Sequence, residues 1–90
     1  LPERLDRGQV LRAIRRHFSK VKDCRRLEPD ITGQVTVRFT VNGNGRVSGT
    51  KTTGQYANTP IGNCVAQKVR AIRFPRFSGS PFPINFPFSL

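Results

Sequence analysis

The clearest pattern in the chain lies between Gly33 and Gly45, which read GQVTVRFTVNGNG. Val35, Val37, Phe39 and Val41 alternate without a break with Gln34, Thr36, Arg38 and Thr40. A period of two puts the first set on one face of a strand and the second on the other. The apolar set is β-branched or aromatic, which suits a pleated surface packed on one side. Asn42-Gly43-Asn44-Gly45 supplies two consecutive Asn-Gly pairs, a hairpin signal because tight primed turns need positive φ. Arg46 and Val47 begin a return strand that runs to about Thr53. That strand has Val47 and three Thr, but Gly49 stands where a packing side chain would sit, predicting an edge strand or a bulge.

Helical spacing flanks this hairpin on both sides. Val10, Ile14, Phe18 and Val21 share one face, with Leu11 beside them, and Asp6 is placed as an N-cap; the pattern predicts a helix to about Asp23. Arg12, Arg16 and Lys20 form a stripe on the opposite face, widened by Arg15 and Lys22. Like charges four apart cost roughly 0.2–0.5 kcal/mol per pair, so tertiary packing must hold this helix, and Gly8 weakens its start. His17 and Cys24 fall on the border of the apolar face. Arg25 to Thr32 is a connector containing Pro29, and Gly54 to Asn58 is a loop. Thr59-Pro60 is an N-cap followed by proline at the first helical position. Ile61, Val65, Val69 and Ile72 then share a face, with Cys64 near its edge. This second helix ends before Pro75, because a residue preceding proline resists helical geometry.

The tail concentrates five of the seven Phe and four of the seven Pro between Phe74 and Leu90. After the break at Ser78-Gly79-Ser80, Phe82, Ile84, Phe86 and Phe88 alternate with Pro83, Asn85, Pro87 and Ser89. That is a third strand with its Phe side inward. Proline cannot donate to a ladder, so two prolines on one face confine this strand to an edge or limit which side of it can pair. A hairpin followed by a helical crossover returns the third strand antiparallel to the first. The expected fold is α+β: a three-stranded antiparallel sheet of order 2-1-3, with two helices on its Val/Phe face.

Ninety residues make one domain with a modest core. The chain has no Met, no apolar run of membrane-spanning length and no signal-peptide pattern. It is expected to be the C-terminal part of a longer, anchored protein. Sixteen Lys and Arg against five acids give a net charge of +11. Such a domain binds something anionic, or simply carries a solvated basic surface. The only cysteines, Cys24 and Cys64, have neither a CxxC nor a zinc-type spacing. A disulfide is the sharper reading and would place the domain outside the reducing cytosol; two buried free thiols are the alternative.

No catalytic constellation emerges, and no enzyme, cofactor or metal is expected. Glu3, Asp6, Asp23, Glu28 and Asp30 are scattered through the N-terminal third, and the lone His17 has no evident nucleophile. Gly43, Gly45 and Gly49 sit in a hairpin, and Ser48 stands where a dinucleotide fingerprint wants Gly. A basic nucleic-acid-binding α/β module is the rival function. RNA-recognition sheets, however, present aromatics on their open face, and here that face offers Gln34, Thr36, Arg38 and Thr40.

In order, a helix, GQVTVRFTV at Gly33 to Val41, NGRV at Asn44 to Val47, NCV at Asn63 to Val65, Phe74-Pro75 and a closing Phe86-Pro87-Phe88 resemble the TonB C-terminal domain superfamily. The Cys pair and the Pro-Phe ending are closer to the AgmX/PglI-type C-terminal domain of myxobacterial gliding-motility proteins. The resemblance covers nearly the whole chain, and its specificity lies in the order and spacing of short motifs. It implies a periplasmic domain on an inner-membrane-anchored protein. Such a domain couples a proton-driven inner-membrane motor to outer-membrane or periplasmic partners by accepting a strand on its sheet edge. The high Arg content and the Cys pair depart from energy-transducing TonB and favour the motility branch.

Two surfaces follow as candidates. With the first strand paired on both sides, only the outer edges of strands two and three can accept a partner. Strand three is the better template, at Pro83, Ile84, Asn85, Phe86 and Phe88, since its Phe residues anchor it and its prolines limit indiscriminate pairing. A second copy of the chain is a further candidate occupant, and a plain capped edge without a ligand is the alternative. The basic stripe of Arg12, Arg15, Arg16 and Lys20 is expected to be an exposed contact surface rather than a nucleic-acid site.

Overall fold

A computed structural model describes residues 2–30 and 33–89. The end of the expected connector, Ile31 and Thr32, lies outside the described residues, as do Leu1 and Leu90. Strand β1, Gln34–Val41, is the centre of a three-stranded antiparallel sheet of order β2-β1-β3, with β2 at Val47–Thr53 and β3 at Phe82–Ser89. The helices pack against the face formed by Val35, Val37, Phe39 and Val41, all four fully buried. Burying each such side chain contributes about 1.5–3 kcal/mol, so β1 is the strand that the core is built on. The α+β class and the strand order are those expected from the sequence.

Helix α1, Arg7–Arg16, starts at a reciprocal cap. The Gln9 backbone N–H donates to Asp6 Oδ1 at 2.8 Å, and the Asp6 N–H donates to Gln9 Oε1 at 3.0 Å. The single helix expected to reach Asp23 is instead broken at His17, where the backbone leaves helical geometry at φ −101° and ψ 2°. His17 N–H bonds the Ile14 carbonyl, three residues back, and its Nδ1 bonds the Ala13 carbonyl at 3.3 Å. A short helix α2, Phe18–Lys22, and a 3₁₀ turn, Asp23–Leu27, complete the segment. The break leaves the apolar residues on the core side: Val21 and Cys24 are buried, and the Phe18 ring stacks on Phe88 with centroids 6.5 Å apart.

Helix α3, Pro60–Arg70, begins as expected with the Thr59 hydroxyl accepting from Gly62 N–H at 3.1 Å and proline in the first turn. It ends earlier than its apolar periodicity, because Ile72 is buried from the non-helical segment beyond Ala71. Buried Thr52 ties β2 to this helix through a 2.7 Å bond from its hydroxyl to the Gly62 carbonyl. The cysteines are joined: Cys24 of the 3₁₀ turn is bonded to Cys64 of α3, forty residues on.

The hairpin turn differs from the expected primed type. Gly45 N–H bonds the Asn42 carbonyl at 2.8 Å, Asn42 N–H bonds the Arg46 carbonyl at 2.9 Å, and of the two turn glycines only Gly45 has positive φ, +83°. That is a three-residue loop closed by a left-handed glycine. Its conformation is held from outside, since Phe77 N–H bonds the Gly43 carbonyl and Phe74 N–H bonds the Gly45 carbonyl, at 3.0 and 2.8 Å. Across from it, Gly49 at φ +61° marks the expected irregularity in β2, where the register with β1 shifts between Arg38 and Thr40.

Candidate functional site

The two outer edges of the sheet face different surroundings. Beside β2 and α3 lies a polar cleft of about 350 Å³, lined by residues that include Asn58, Asn63, Gln67 and Arg70. Beside β3 lies a groove of about 540 Å³ whose apolar walls are Leu5, Val10 and Leu11 on one side and Phe82, Ile84 and Phe86 on the other. The Phe side of β3 packs on the core, but its burial is uneven along the strand. Only Phe88 is fully buried; Phe82, Ile84 and Phe86 are partly buried, because α1 runs beside their outer flank without covering it. The strand is paired with β1 along its whole length and packed on the core, and it presents unfilled apolar surface along its Phe82 to Phe86 flank.

The backbone of that edge can be oriented from the hairpin. Because Asn42 N–H bonds Arg46, Asn42 turns toward β2. Backbone groups alternate sides along a strand, so Val41, Phe39, Val37 and Val35 turn toward β3. Their register partners are Phe82, Ile84, Phe86 and Phe88, whose N–H and C=O groups are therefore engaged by β1. Pro83, Asn85 and Pro87 point theirs outward. Both prolines thus sit where the missing N–H would have faced solvent, the position a proline tolerates in a sheet. Between residues 83 and 87 the free edge offers three carbonyls and a single N–H, that of Asn85.

On the sheet face away from the helices, exposed Arg38 stands between exposed Lys51 on β2 and exposed Asn85 on β3. Like charges directly opposite each other are unfavourable, and neither cation has an acidic residue across the ladder. Arg12, Arg15, Arg16 and Lys20 are also exposed, but the break at His17 puts Lys20 on α2 and the three arginines on α1. Arg12 and Arg16, with Gln9, line a shallow depression against Pro75. The basic stripe is therefore divided between two helices.

The candidate chemistry of the polar groups is limited. Glu3, Asp6, Asp23, Glu28 and Asp30 are all exposed, His17 is bonded to a main-chain carbonyl, and both cysteines are oxidised. Among the described residues no cluster of His, Cys, Asp or Glu could hold a metal ion, and no helix is long and apolar enough to cross a membrane. The disulfide is consistent with an oxidising, extracytoplasmic compartment.

Leu5, Val10 and Leu11 are the site residues that the strand pattern alone does not reveal. The signal for them is the leucine just before the Asp6 cap and the apolar pair beside the helix stripe. No family model, curated protein or solved structure matches the chain.

Proposed function

We propose that this chain is a non-catalytic, periplasmic protein-interaction domain of a TonB-like or gliding-motility envelope machine. In this reading it belongs to an inner-membrane-anchored protein and binds an outer-membrane or periplasmic partner by adding the partner's strand to β3. The observation that carries the reading is the free β3 edge running along an apolar groove that α1 leaves unfilled. Strand addition draws affinity from main-chain bonds and specificity from alternate side chains in pockets, and this edge offers both. The β2 edge, beside a polar cleft, offers only the first. The disulfide supports the compartment, and the residue order quoted above supports the family.

The rival, a nucleic-acid-binding module, is favoured by the charge of +11. Against it, the buried and half-buried aromatics lie on the helix side of the sheet, so the open face has no ring on which a base could stack. The test is photo-crosslinking in the native cell, with a benzoylphenylalanine placed at Asn85 or, as control, at Ser48 of β2 in the full-length protein. A crosslink from residue 85 to an envelope protein, absent from residue 48, is expected. Crosslinks from residue 48 alone, or to nucleic acid, would overturn the proposal.

A further inference from the structure

The sequence of β3, FPINFPF from Phe82 to Phe88, is nearly symmetric about Asn85, with Pro83 mirrored by Pro87 and Ile84 by Phe86. The backbone orientation gives that symmetry a consequence. Outward from the edge, residues 83, 85 and 87 each present a carbonyl, and only residue 85 presents a donor. An antiparallel second copy centred on Asn85 would set Asn85 against Asn85 and Pro83 against Pro87. Two bonds would form at the centre, and the carbonyls of all four prolines would face residues with no N–H. Sliding the copies by two residues in either direction turns a proline onto Asn85; in one direction the outward N–H of Ser89, at the end of the strand, meets Pro83, but the Asn85 carbonyl then faces no N–H. Unmatched carbonyls in a closed interface lose their water without compensation, so the edge is a poor template for itself.

Resting on the strand-addition reading, we infer that β3 selects a foreign strand by its donor pattern. The partner is an extended segment in which three alternate residues, those facing Pro83, Asn85 and Pro87, each bring a backbone N–H. None of the three is proline, and only the central one also accepts a bond. The two residues between them, facing Ile84 and Phe86, send their side chains to the helix side, into the groove lined by Leu5, Val10 and Leu11. They are apolar and unbranched or β-branched rather than charged. The three donor residues lie on the open face, and the central one extends the row of Asn85, Arg38 and Lys51, so polar or acidic side chains complement that basic row. The occupant is thus an acidic, alternating strand of another protein, and the prolines serve to keep a second copy off the edge.

A blocked peptide, Ac-Thr-Glu-Val-Glu-Val-Glu-Thr-NH₂, whose three Glu are the donor residues on the open face, is the probe, titrated against the ¹⁵N-labelled domain and followed by amide shifts. The parent peptide is expected to move the Asn85 resonance and its β3 neighbours. N-methylation of any one of the three Glu weakens binding by about tenfold or more, the effect of one lost bond. N-methylation of either Val, whose N–H points away from β3, changes it less than about twofold on the same scale. Equal losses at Glu and Val, with shifts still centred on β3, would overturn the donor rule and leave strand addition standing. Parent shifts confined to β2 or the open face, or no shifts at all, would overturn both. A reciprocal arm uses Pro83→Ala with Pro87→Ala, which restores two outward donors at exposed positions. This variant is expected to self-associate in sedimentation at concentrations where the wild type is monomeric. A wild type that dimerises through β3, or a variant no more associated than wild type, would overturn the exclusion of the second copy.

Discussion

Reducing the Cys24–Cys64 bond isolates the largest single constraint on the unfolded chain, because both sulfur atoms stay in place. The bond spans forty residues and closes a loop that contains β1, β2 and the start of α3. Chain-entropy bookkeeping for a loop of that length gives about 4 kcal/mol, most of it from restricting the unfolded ensemble. A domain of this size has about 5–15 kcal/mol in total, so reduction removes a large share of what holds it folded. With an unfolding entropy near 2.1 cal/mol/K per residue, the corresponding fall in Tm is roughly 20 °C. Cys24 is buried and Cys64 partly so, so reductant reaches the bond through local opening, and the comparison needs full reduction in denaturant before refolding. The assay is thermal unfolding followed by circular dichroism on oxidised and reduced protein, with thiol counts taken on the same samples. A reduced protein that melts within about 5 °C of the oxidised one would contradict the loop-entropy argument. Two reactive thiols in the unreduced, denatured chain would remove its premise.

Three further predictions follow from local geometry and charge. Gly45→Ala forces a side chain into a left-handed position, which costs about 1–3 kcal/mol, and drives its Cβ against the Phe74 carbonyl. Gly54→Ala, at φ +82° with nothing nearby, is the control that carries only the first cost. Urea unfolding should therefore rank Gly45→Ala clearly below Gly54→Ala, and equal midpoints would refute the role of the Phe74 contact. Thr52→Val keeps the shape but removes the bond to the Gly62 carbonyl, so a loss of about 1 kcal/mol is expected, and no loss would show that the bond does not hold α3 to β2. Duplex DNA binding through Arg12, Arg15, Arg16 and Lys20, measured by fluorescence anisotropy, should be weak, without sequence preference, and lost steeply between about 50 and 200 mM salt. Tight, sequence-selective binding at physiological salt would instead promote the nucleic-acid reading.

What was legible in the sequence is what depends on period. The unbroken alternation at Val35 to Val41 sets both the face and the central position of β1, and the proline spacing in β3 assigns that strand to an edge. The Thr59-Pro60 start and the Gly49 irregularity are equally local. Features decided by packing were not legible. The apolar period runs through His17 without interruption, so nothing in it signals the break there. Two consecutive Asn-Gly pairs allow more than one turn, and the choice is made by the Phe74 and Phe77 amides docking on Gly45 and Gly43. The groove was hidden for the same reason. Phe82, Ile84 and Phe86 read as core residues, and only the placement of α1 beside their flank leaves them half-covered.

The central claim is that a partner strand pairs with β3 through the outward groups around Asn85. The most direct measurement compares wild type with Asn85→Pro for affinity toward the envelope partner captured from residue 85. The substitution removes the single outward donor between residues 83 and 87 at an exposed position and leaves the bonds to β1 intact. The account predicts an unchanged melting temperature and binding at least about tenfold weaker. A folded variant that binds with wild-type affinity would contradict it.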